Sequence, residues 1–91
     1  MQIPKSFRLG RNEWLVRHFD RMVLGAVGRC YPQYRVLEVE VHRPQQKVSE
    51  TFWHEATHAI LHDMNDPRWN DEKFVTAFSK RLNQIVNTAA F

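Results

Sequence analysis

The sequence predicts an α+β fold, a small antiparallel sheet of three to four strands packed by two helices, and three observations carry that prediction. Residues 34–41 alternate as a half-buried strand does, with Leu37, Val39 and Val41 facing one way and Glu38, Glu40 and His42 the other. Pro44 is tolerated in a first helical turn and excluded from a central strand, so it divides the chain. Beyond it, apolar residues recur at three- and four-residue spacing. A chain of 91 residues fits one domain, 1–91, with strands in 1–43 and two helices in 44–91.

Each element has its own local reason. Residues 6–9 and 14–19 are short apolar stretches on either side of Gly10-Arg11-Asn12, a turn-forming cluster that predicts a hairpin. Gly25 and Gly28 then punctuate a less regular segment before the strand over 34–41. The helix after Pro44 runs to about Met64, Asp66-Pro67 breaks it, and Asn70 offers an N-cap for a second helix reaching almost to the C-terminus. In the first helix Trp53, Ala56, Ile60 and Met64 form a face suited to the sheet. In the second, Phe74, Phe78, Leu82, Ile85, Val86 and Ala89 form a stripe expected to face the core.

Composition narrows the classes of function. With 43% hydrophobic and 25% charged residues the chain can bury enough apolar surface to fold, which excludes wholesale disorder. Cys30 stands alone, so neither an internal disulfide nor a four-thiolate zinc site is available, and a reducing cytoplasm suits the protein. No window approaches the roughly 20 apolar residues of a membrane span. The formal charge is +3, but the basic residues are scattered without a five-residue block, which gives nucleic-acid binding little support.

The informative segment is residues 51–62, TFWHEATHAILH, which contains the H-E-x-x-H pattern of a zinc hydrolase helix. At about 100° per residue, His54 and His58 differ by roughly 40° in direction and about 6 Å in rise, so both imidazoles can converge on one cation. Glu55 lies to the side of that pair, where a carboxylate can take a proton from an activated water without occupying a ligand position. The polar residues Thr51, His54, Glu55, His58, His62 and Asn65 share one side of the helix, which separates them from the apolar face.

A catalytic zinc usually has three protein ligands and one open position. His62 is on the same stripe but about 12 Å from His54 along an unbroken helix, and reads as a rim or supporting residue. Asp71 and Glu72 remain, at the start of the second helix. Glu72 is favoured because a set of two histidines and one glutamate leaves an open position, although a minimal antiparallel turn would bring Thr76 closer than Glu72 to the level of His58. Both acids also have a plain reading as first-turn residues favoured by the helix dipole. Tyr31, Tyr34, His42 and His62 are candidates to stabilise an oxyanion.

The sequence resembles the short ImmA/IrrE-type metallopeptidase-like proteins, many of them encoded by phages and prophages. The resemblance rests on residues 3–7, IPKSF, on residues 51–61, TFWHEATHAIL, and on residues 71–78, DEKFVTAF. It implies that His54, His58 and Glu72 hold zinc in a gluzincin-like site and that Glu55 activates water. Thr76 stands where relatives often carry an acidic residue, so a supporting carboxylate is missing there. The expectation is a zinc-dependent peptidase acting on a protein or peptide, with a regulatory protein among the substrates. The alternative is a non-catalytic or partner-dependent zinc-binding interaction module.

Overall fold

The computed structural model describes residues 2–21 and 25–91. Strands β1 (Ser6–Leu9), β2 (Asn12–Phe19), β3 (Gly28–Tyr31) and β4 (Val36–Glu40) precede helices α1 (Gln45–Asp63) and α2 (Glu72–Thr88), with 3-10 turns over Pro32–Tyr34 and Pro67–Asn70. The α+β architecture, one sheet packed with two helices, is therefore as the sequence predicts. The sheet order is β1-β2-β4-β3.

The hairpin of β1 and β2 forms where expected, closed by Gly10 at φ +60°, a conformation in which an L side chain would be strained. The expected all-antiparallel sheet is instead mixed, because β2 and β4 run parallel. The cause is β3, in the segment that reads as irregular. It pairs antiparallel with β4, and the reversal between them uses the Pro32–Tyr34 turn and Arg35 in the left-handed region at φ 52°. Arg35 also moves the start of the strand from residue 34 to Val36. Of the two hairpin strands β4 is the apolar one, with Leu37 and Val39 fully buried, and it takes the inner position. The more polar β3, GRCY, is left at the edge.

Helix α1 lies on the sheet through Val48, Phe52, Ala56 and Ala59, which join Trp14, Val16, Leu37 and Val39 in one core. This face is rotated from the predicted one: Ala56 is shared, Trp53 and Ile60 are half-buried, and Met64 is exposed. The rotation has a physical reason, since α2 and the Pro67–Asn70 turn cover a second side of α1 and bury Ser49, Thr57, His58 and Leu61 there. Asn65 at φ 57° ends α1, with the Asp66 amide returning to the Leu61 carbonyl at 2.9 Å.

Helix α2 is capped by Asp71, not Asn70; its side chain accepts the Phe74 amide at 3.1 Å, while Asn70 closes the 3-10 turn. Only Val75 and Ser79 of α2 are buried. The predicted core stripe is largely exposed, with Phe78 at 49%, Ile85 at 64% and Val86 at 39%. A polar seam turns the helix this way: Ser49 Oγ donates to Asn83 at 2.7 Å, and Asn87 donates to Ser49 and to Asn83. Burying those groups without partners would cost more than leaving part of an apolar stripe in water.

Candidate metal centre

His54 and His58 stand one turn apart on α1, ring centres 5.1 Å apart, and the first turn of α2 brings Glu72 across them. One carboxylate oxygen of Glu72 is 3.0 Å from His54 Nε2 and the other is 2.9 Å from His58 Nε2. The minimal-turn objection to Glu72 falls away because the connection is not minimal. Asp66 accepts the Arg68 amide at 2.9 Å and pairs with its guanidinium at 2.8 Å, and the resulting 3-10 turn sets the start of α2 opposite the histidines. The guanidinium and amide of Arg68 hold the Asp66 carboxyl down at about 2, so this clamp persists well into acid.

The other expected participants are placed elsewhere. Asp71 spends its carboxylate on the α2 cap. Thr76 lines a cavity of about 200 Å³ beside Thr51, His54 and Glu55, and is exposed. His62 packs edge-on against Trp69, ring centres 5.0 Å apart. Tyr34 is 73% exposed on its turn and lines a groove with Leu15 and Arg17. His42 is exposed in the bend before α1. Tyr31 belongs to the strand that borders the site.

One supporting group left no trace in the sequence. The carbonyl of Trp69, in the 3-10 turn, accepts a hydrogen bond from His58 Nδ1. This fixes the ring so that Nε2 faces the site, the usual arrangement around a ligating histidine. Being a backbone atom, it has no residue signature.

His58 then poses an accounting problem. Its Nδ1 faces a carbonyl and its Nε2 faces a carboxylate oxygen, both of which only accept. A neutral imidazole has one N–H for these two acceptors. A cation held between Nε2 and Glu72 is one arrangement that satisfies both. The candidate ligand atoms of His54, His58 and Glu72 all lie within 4.8 Å of one another, so small side-chain adjustments bring them to the roughly 2.0–2.2 Å of zinc bonds. These three residues form a group that can hold a metal ion.

Glu55 is 8% exposed, beneath the edge strand. Burial first, and then the negative charge of Glu72, push its carboxyl up to about 8. Cys30, also half-buried, is pushed up to about 12 by burial and by Glu55, which leaves it an inert thiol. Gly28 is the point of closest approach between β3 and α1. A Cβ there would lie 2.6 Å from Thr51 Cγ2 and 3.0 Å from Glu55 Cγ and Oε2. Gly28→Ala is accordingly expected to cost roughly 1–3 kcal/mol through overpacking and to displace Glu55; thermal unfolding reads the first effect.

The free edge of β3 borders this group. Val27 O accepts the Glu40 amide at 2.9 Å, and in an antiparallel ladder bonded and non-bonded pairs alternate. Gly28 and Cys30 therefore turn their N–H and C=O away from β4, along a cleft of about 450 Å³ that contains His54, Glu55, His58 and Glu72.

In comparisons with known proteins, no family model, curated protein or solved structure matches the chain significantly. No helix among the described residues is long and apolar enough to cross a membrane.

Proposed function

We propose that this chain is a zinc-dependent metallopeptidase of the ImmA/IrrE-like kind, hydrolysing an extended peptide segment of a cytoplasmic protein. The observation that carries the reading is the convergence of His54, His58 and Glu72, whose candidate ligand atoms lie within 4.8 Å of one another on the H-E-x-x-H helix and the start of α2. Zinc, when bound, would supply a Lewis acid that lowers the pKa of water and polarises a carbonyl. Two histidines and a carboxylate are its usual donor set in hydrolytic sites.

The chain's own residues supply the rest. The outward N–H and C=O groups of Gly28 and Cys30 can pair with a peptide lying along β3, which sets the substrate by main-chain geometry and leaves side-chain preference to the cleft walls. Glu55 lies beside the ligand group and outside it; with a cation bound, which favours its ionised form, its carboxylate would accept a proton from the attacking water and return it to the leaving amine. Trp69 O and the Asp66–Arg68 clamp hold His58 in one orientation.

Metal stoichiometry by mass spectrometry on tag-free protein tests the site. One zinc per chain, lost in the His54→Ala, His58→Ala double variant, is expected. No bound metal after incubation with excess zinc would overturn the reading. A zinc-binding interaction module without turnover is the second reading, favoured by the exposed apolar face of α2.

A further inference from the structure

The cavity of about 200 Å³ on the Thr76 side of the site lies between α1 and α2, past the Gly28 end of β3, where Val27 borders it. His54 and Glu55 line both this cavity and the cleft along β3, whereas His58 and Glu72 line only the cleft. The cavity wall on α1 lies one turn back from His54 and Glu55, and its wall on α2 lies one and two turns on from Glu72. A peptide paired with the outward groups of Gly28 and Cys30 sends alternate side chains to opposite faces of the sheet. One of them, on the α1 face beside the scissile bond, meets this cavity. Glu55 fixes which one, because the amine to which it returns a proton belongs to the residue on the C-terminal side of that bond.

The walls set the chemistry. Val27 is aliphatic, and Thr51 holds its Cγ2 methyl toward β3, where a Cβ on Gly28 would lie 2.6 Å from it. Ser79 is 3% exposed and its hydroxyl donates to the Thr76 carbonyl at 3.4 Å, so it is engaged within its own helix. Glu50 and Lys80 border the space with one charge of each sign. An acidic substrate side chain would meet Glu50 and Glu55, a basic one would meet Lys80, and either would give up water on entering. An aliphatic side chain carries neither cost. We infer, on the peptidase reading above, that the cavity takes an uncharged aliphatic side chain of leucine or methionine size, carried by the residue that supplies the leaving amine. Thr76, short and exposed, is the residue that leaves the space open.

The test uses succinyl hydroxamates, which chelate zinc and carry one variable side chain where the leaving-amine residue would place its own, titrated by calorimetry into the zinc-loaded full chain. The isobutyl compound is expected to bind about tenfold more tightly than the unsubstituted one, or better, and the carboxymethyl and aminobutyl compounds no more tightly than the unsubstituted one. Thr76→Trp should remove the isobutyl advantage while zinc content, the unfolding midpoint and binding of the unsubstituted compound hold, since residue 76 is exposed. Thr76→Ser, which keeps the space open, should retain the advantage. Equal binding of the isobutyl and unsubstituted compounds, tighter binding of a charged one, or an isobutyl advantage that survives Thr76→Trp would overturn the inference and leave the metal centre standing. A chain that takes up no zinc, or that binds no hydroxamate once loaded, would overturn the metal reading and this inference together.

Discussion

Glu55→Gln is expected to lower peptide turnover by roughly three orders of magnitude, the scale of losing a general base, while the chain keeps its zinc. The reason is separation of roles. His54, His58 and Glu72 form the group that can hold the ion, and Glu55 lies outside it, buried against Gly28 and Thr51. Glutamine fills the same space and cannot take a proton. A quenched-fluorescence peptide library, read alongside metal content, makes the measurement. Turnover unchanged in Glu55→Gln would remove the carboxylate from the mechanism. No turnover in either protein, with zinc bound in both, would favour the interaction module.

The same side chain is expected to make the metal-free protein less stable as pH rises. Below about 4.5 the Glu55 carboxyl is protonated in both folded and unfolded chains and burial costs nothing extra. Between about 4.5 and about 8 the unfolded chain ionises and the folded one does not, so unfolding releases a proton and stability falls. Above the folded value the loss is complete, on the order of 5 kcal/mol. Urea unfolding with a chelator at either end of this window, on wild type and Glu55→Gln, isolates the effect from titration of the histidines. The variant should be the more stable protein at the alkaline end, because glutamine carries no charge to bury. Equal pH dependence in the two would mean that burial does not disfavour the charge. Zinc opposes the trend, because a nearby cation favours the ionised carboxylate.

Much of the architecture is legible in short stretches of sequence. The hairpin rests on Gly10, which can take the left-handed turn; α1 starts after Pro44, and Asp66-Pro67 stops it. The facing of His54 and His58 is equally local, because the pitch of a helix fixes it. These features depend on neighbours a few residues apart, and the chain carries them wherever it goes.

Only the tertiary structure decided the rest. Glu72 reaches the histidines because the Asp66–Arg68 clamp shapes the connection, and no spacing rule gives the path of an eight-residue link between helices. The parallel pairing of β2 and β4 follows from competition between two strands for the buried position, which β4 wins through Val36, Leu37 and Val39. The stripe on α2 reads as core by periodicity, yet Ser49, Asn83 and Asn87 turn the helix so that Val75 and Ser79 are buried instead. Periodicity gives an element its apolar side. Which part of that side is covered depends on every other surface competing for the same core, and that is a property of the assembled chain.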